Sequence, residues 1–153
     1  MSIPNLLYEE DVYELYVFGH RDAPSNIKSN LEREIMSLSN KGVKHFYVGN
    51  NGNFDFLVQT TLNKLANQNP NVKYSIVLSH ISETALNGEQ EKTVFPEGQE
   101  LALPKFAVSK RNEWLLKNSS VVIAYVINHS SNSYRIIEKA RRKGLKIINL
   151  AET

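Results

Sequence analysis

Hydrophobic positions fall into two alternating patterns along the chain. Short runs rich in β-branched and aromatic residues occupy 12–18 (VYELYVF), 44–48 around HFYV, 74–78, 121–127 (VVIAYVI) and 145–150. Such runs are too short for buried helices and read as strands. Between them apolar residues return every three or four positions: Ile27, Leu31, Ile35 and Leu38, then Leu57, Val58, Leu62, Leu65 and Ala66, then Val108 and Leu115 with Phe106 and Trp114 nearby. That is the spacing of one helix face. Strand and helix in alternation predict an α/β fold, with five parallel strands and four helices.

The last unit is the plainest. The run at 121–127 is apolar throughout, as expected of a central strand covered on both faces. A polar loop at 128–132 follows, with Ser133 as N-cap, a helix over 134–143, Gly144 as its stop and a second buried strand at 145–150. Upstream, Pro24 and Ser25 open a helix that stops at Gly42; Asn53 is placed to cap the next, Asp55 suits its positive end, and Pro70 lies past its end. Residues 79–103 hold Gly88, Pro96 and Gly98 without a steady period, so a lid or wall over a site is expected there. Arg111 falls on the stripe of Val108 and Leu115, where a cation needs an acidic or phosphate partner.

A chain that starts in the sheet centre, moves outward and returns gives the strand order 3-2-1-4-5, with a switch point between strands one and four. The loops at 19–22, 49–53 and 128–133 then converge on one crevice at the carboxyl ends of the strands. They bring Gly19, His20, Arg21 and Asp22, Gly49, Asn50, Asn51 and Gly52, and Ser130, Ser131, Asn132 and Ser133 together. Glycines that let backbone approach a ligand, beside many hydrogen-bond donors, suit a nucleotide-like molecule.

The 153 residues, 41% hydrophobic, are enough for one sizeable core, taken as a single domain at 12–153 behind an arm at 1–11. Eighteen basic and sixteen acidic residues nearly cancel, so total charge demands neither nucleic acid nor an anionic membrane, and neither is expected as a partner. There is no cysteine, no apolar run of membrane-spanning length and no leader at Met1, so a cytoplasmic protein is expected. His20, His45, His80 and His129 lack metal spacing, and neither metal nor cofactor is expected. No G-x-S-x-G turn or Walker-type phosphate loop is present, which sets aside serine hydrolases and P-loop NTPases.

From about 16 to 151 the chain resembles the small single-domain SLOG proteins of Firmicutes and their phages, relatives of the Lonely Guy phosphoribohydrolases and of DNA-processing A. Several ordered motifs carry the resemblance: Phe18-Gly19-His20-Arg21, Phe46-Tyr47-Val48-Gly49-Asn50 with Gly52-Asn53-Phe54-Asp55, Phe95-Pro96-Glu97-Gly98, Ser109-Lys110-Arg111-Asn112 with Trp114, and Val122-Ile123-Ala124-Tyr125-Val126. It implies a Rossmann-like three-layer sandwich, a nucleotide-derived ligand and, since Lonely Guy relatives pair through helices, a homodimer. It also makes Asp55 and Glu97 site residues, and Glu97 and Arg111 the catalytic candidates. The catalytic relatives carry a Gly-Gly-x-Gly-Thr loop followed by a Glu. Here Ser130-Ser131-Asn132-Ser133-Tyr134 stands in its place, and Ile136 or Ile137 stands at the Glu position. Glu138 is one helical step, about 100°, off that face.

Three functions follow in order. The first is binding of a nucleotide or nucleotide-derived signal, such as an ADP-ribose derivative, by a sensing or sequestering protein. The second is an N-glycosidic hydrolase, which needs a carboxylate at the reacting carbon. The third is an interaction module with an idle crevice. Each signal also has a plainer reading: Gly49 and Gly52 as turn glycines, His20 and Arg21 as solvated, Arg111 as part of a structural ion pair, Glu97 as a surface carboxylate. The basic run at 139–146 reads as cations complementing a helix C-terminus.

Overall fold

The computed structural model describes residues 13–19, 25–50, 52–80 and 93–152. Its strands are β1 (Tyr13–Gly19), β2 (Val43–Val48), β3 (Tyr74–Val77), β4 (Thr93–Val94), β5 (Val121–Tyr125) and β6 (Lys146–Asn149), all parallel to their neighbours in one sheet of order β4-β3-β2-β1-β5-β6. The helices are α1 (Lys28–Asn40), α2 (Asn53–Gln68), α3 (Ala107–Lys117) and α4 (Asn132–Arg142). The arrangement is Rossmann-like. Five strands were expected and six are present among the described residues. The additional strand, β4, lies in the segment read as loop, because a strand of two residues is too short to show a period. It forms on the open edge of β3, where the Leu78 amide donates to the Val94 carbonyl at 2.9 Å.

Period-two alternation sorts the strand side chains onto two cores. Phe46, Val48, Tyr74, Ile76, Val121 and Ile123 meet Leu31, Ile35, Leu38, Phe54, Val58, Leu62 and Leu65 from α1 and α2. Tyr47, Val77, Val122 and Ala124 meet Leu115, Leu116, Ile137 and Ala140 from α3 and α4. The sheet is therefore buried on both sides, as an all-parallel sheet requires. The stripes expected on α1 and α2 are the buried ones. On α3 the expectation fails in part: Val108 and Phe106 are exposed, while Ala107, Arg111, Leu115 and Leu116 are buried. A 3-10 turn at Pro104–Phe106 precedes α3 and turns Phe106 to the outside.

Helix ends differ from the expected caps by a residue or two. Helix α4 is capped by Ser131 rather than Ser133, its hydroxyl accepting from the Tyr134 amide at 3.1 Å. Asn53 is the first residue of α2, behind a Gly52 that supplies no side chain. Gly144 ends α4 at φ 82°, a left-handed conformation that suits glycine. No helix among the described residues is long and apolar enough to cross a membrane.

Phe54 and Phe56 separate the core from the surface within one turn, at 1% and 67% exposure. Phe54→Ala is expected to lower unfolding free energy by about 3–5 kcal/mol, and Phe56→Ala to change it by no more than about 0.5 kcal/mol. Urea denaturation of the two variants checks this contrast.

Candidate functional site

The loops expected to converge do leave neighbouring strand ends. Gly19 at the end of β1 pairs with Tyr125 at the end of β5, and Val17 pairs with Val48, the residue before Gly49. His20, Arg21, Asp22 and Asn51, named from the sequence, lie outside the described residues. The site is thus built here from the β2–α2 turn, the end of β3 and the start of α3.

Arg111 is its centre. The side chain is 3% exposed, with Nη1 donating to the Val77 carbonyl at 3.0 Å and Nε donating to Asn112 Oδ1 at 3.0 Å. A guanidinium so placed exchanges water for a backbone carbonyl at the carboxyl end of β3, where strand carbonyls point outward without ladder partners. It passes directly over Gly49. A Cβ at that position would sit 2.8 Å from Arg111 Nη1 and 3.0 Å from Asp55 Oδ2, so a larger residue would force the buried guanidinium to shift, and glycine suits the close approach of the two side chains. The Gly49 carbonyl accepts from Gln59 Nε2 at 2.8 Å, which anchors the turn to α2. Asp55, 8% exposed, stands in the first turn of α2, whose positive end favours its charge. Gly49, Asp55 and Arg111, chosen from the sequence, therefore meet in one place.

The serine loop does something else. Ser131 caps α4 and donates its hydroxyl to the Asn128 carbonyl at 2.7 Å, the Ser130 amide donates to Asn128 Oδ1 at 2.8 Å, and Asn132 Oδ1 accepts from Arg135 at 3.2 Å. Its polar groups close the turn on itself. Glu97 is exposed on the turn before a 3-10 helix at Gln99–Leu101, and Glu138 on α4 binds Arg141 of its own helix. Glu97, the carboxylate expected from the sequence as a catalytic candidate, makes no contact with Arg111 among the described bonds.

Gln99 was not foreseen. It is 2% exposed, and its Nε2 donates to the Ser79 carbonyl at 3.1 Å and the Ala107 carbonyl at 2.6 Å. It thereby ties the chain leaving β3 to the first residue of α3. A lone glutamine in a segment with no period carries no sequence signal. Asn149, equally unforeseen, binds the backbone of Val126 through both its amide groups and locks the ends of β5 and β6 together. No group of three or more histidine, cysteine, aspartate or glutamate residues among the described residues is placed to hold a metal ion.

No family model matches the chain, and no curated protein matches it in sequence. Among solved structures it is similar to DNA processing protein A from Streptococcus pneumoniae, with a TM-score of 0.62 and 18% identity over 89% of this chain and 49% of that one. It is also similar to DNA processing protein A from Helicobacter pylori, a structure that concerns single-stranded DNA binding, with a TM-score of 0.55 and 16% identity over 86% of this chain and 63% of that one. The chain spans less than two thirds of either protein, and at these identities the likeness shows the fold. It reaches the DNA-processing side of the resemblance and not the SLOG or Lonely Guy side. The expectation against nucleic acid as a partner is corrected: the frame is shared with a protein whose structure concerns single-stranded DNA binding, so a balanced total charge does not count against it.

Arg111→Ala removes the donor from the buried Val77 carbonyl, and unfolding free energy is expected to fall by about 1.5–3 kcal/mol. Arg111→Lys should recover only part of this, because an ammonium cannot keep both planar contacts. Chemical denaturation of both variants checks it.

Proposed function

We propose that the chain binds a nucleotide unit in the crevice at the carboxyl ends of β1, β2 and β5. The unit is either a free nucleotide-derived molecule such as an ADP-ribose derivative or one residue of a single strand. The observation that carries this reading is the turn from β2 into α2. There a glycine-bounded loop enters a long helix whose N-cap, Gly52, makes no side-chain cap bond, and the positive end of the helix dipole at that point favours an anion. Buried Arg111 beneath the same turn adds positive potential without spending it on a surface partner. Asp55 beside it supplies an acceptor for sugar hydroxyls.

The placement of the two glutamates weighed from the sequence, Glu97 and Glu138, favours binding over N-glycosidic hydrolysis. Glu138 is engaged by Arg141, and Glu97 stands exposed outside the Arg111 cluster. The likeness to DNA processing protein A supports keeping the single strand as one of the two sources.

Thermal shift against ribonucleotides, deoxyribonucleotides, ADP-ribose and a short oligodeoxynucleotide tests the reading. A ligand at 100 times its Kd stabilises by about 2.7 kcal/mol. Asp55→Asn is expected to weaken ribonucleotide binding by about 1 kcal/mol while leaving deoxyribonucleotides little changed. Silence across the whole panel would sink the proposal, and release of free base in the same mixtures, followed by chromatography, would give the site to a hydrolase.

A further inference from the structure

The strongest feature outside the crevice is the groove between α4 and β6, on the edge of the sheet. It encloses about 300 Å³, the lower end of the range for small-molecule pockets. On α4 it is lined by Tyr134, Ile137 and Arg141, spaced three and four residues apart and so on one face of the helix. Opposite stand Leu145, Ile147 and Asn149, alternate residues that share one face of β6 and its approach. His129, in the loop after β5, closes one end by stacking on Tyr134, with ring centroids 4.5 Å apart and planes 16° from parallel. The middle of the groove is therefore apolar and its ends are polar. Tyr134 and Arg141 lie about 10 Å apart along the helix axis, at 1.5 Å per residue.

The polar groups at the two ends are mostly donors, and several are unused. Asn149 Oδ1 already accepts from the Val126 amide at 3.0 Å and the Ala151 amide at 3.1 Å, which occupies both its lone pairs. Its Nδ2 gives one N–H to the Val126 carbonyl at 2.9 Å. The other N–H, the Tyr134 hydroxyl and the His129 ring nitrogens make no hydrogen bond among the described residues. Arg141 gives a single N–H to Glu138, out of the five a guanidinium carries, and that pair stands at the surface, where one carboxylate exchanges readily for another. Donors in surplus call for a ligand that brings acceptors. One guanidinium already facing one carboxylate matches a singly charged anion better than a phosphate monoester, with its roughly two charges.

We propose that the α4–β6 groove is a site for a small planar aromatic carboxylate. Its ring lies on Ile137 and Ile147 against the stacked His129–Tyr134 pair, and its carboxylate meets Arg141 in place of Glu138. Ring contact and apolar burial hold the body of the ligand, and the guanidinium fixes its direction. The site stands apart from the crevice: none of its residues belongs to the Gly49–Asp55–Arg111 cluster, and its ligand carries no phosphate.

Equilibrium dialysis of the full chain with 2-naphthoate, whose length is close to the span from Tyr134 to Arg141, tests it beside 2-naphthylmethanol, which has the same ring and no charge. The acid is expected to bind about tenfold more tightly than the alcohol, the ratio that one charge-assisted hydrogen bond gives. Arg141→Ala should remove that ratio and leave the alcohol's affinity unchanged, and Glu138→Gln, which takes away the competing carboxylate, should tighten the acid alone. If Arg141 served only the stability of the helix, both ligands would move together. His129→Ala, which removes one ring of the closing pair, should weaken acid and alcohol alike. Leu145→Trp, which fills the groove, should abolish the binding of both, and Asp55→Asn, which tests the crevice, should alter neither. No binding of 2-naphthoate at millimolar concentration, equal affinity for acid and alcohol, or tighter binding of 2-naphthyl phosphate would each overturn the proposal. So would indifference to Arg141→Ala or His129→Ala, or binding that survives Leu145→Trp.

Discussion

A buried guanidinium must be given hydrogen-bond acceptors wherever it goes, and the position of Arg111 sets several other positions in turn. It leaves α3, reaches the open carbonyl of Val77 at the end of β3, and crosses the Cα of Gly49 at the end of β2. Were Gly49 any larger, the guanidinium would lose that path. Were α3 shifted by a turn, the charge would sit in the apolar layer of Leu115 and Leu116. The charge thus holds one helix in register against two strands. Gln99 adds a second, uncharged tie between the same helix and the chain leaving β3.

The same topology separates two chemistries. At the carboxyl ends of the strands, glycine turns and an uncapped helix lie over a buried cation, an arrangement suited to a small anionic group approached by backbone. At the edge of the sheet, the stacked rings of His129 and Tyr134 and the side chain of Arg141, paired with Glu138, line an open groove of a different character. The near-neutral total conceals this. Acidic residues elsewhere offset the basic run at 139–146.

The polar residues of the 128–133 loop illustrate how a candidate site can be consumed by structure. Ser131 and Asn128 satisfy the turn and the first turn of α4, and those bonds are the ones a helix entering after a strand must find from somewhere. In the β2–α2 turn the corresponding cap is a glycine, which makes no side-chain cap bond. Two helix entrances at one end of one sheet therefore differ in their capping residue.

By itself the sequence determined what depends on neighbours along the chain. The two spacings of apolar residues specified strands and helices and the buried faces of α1 and α2. Glycine at 144 specified a stop, and the apolar run at 121–127 a strand covered on both sides. The sequence also marked Gly49, Asp55 and Arg111, through the β2–α2 turn and a cation on an apolar stripe. Only the tertiary structure decided that Arg111 and Asp55 both come up against Gly49, that Arg111 ends on the carbonyl of a residue 34 positions away, and that Gln99 is interior. It decided likewise that Thr93 and Val94 pair as an edge strand, and that Val108 faces outward after the turn at Pro104–Phe106. The physical reason is common to all of these. Spacing reports the energy of burying one face of one element, whereas a buried polar contact or a two-residue strand forms only where a distant part of the chain supplies its partner.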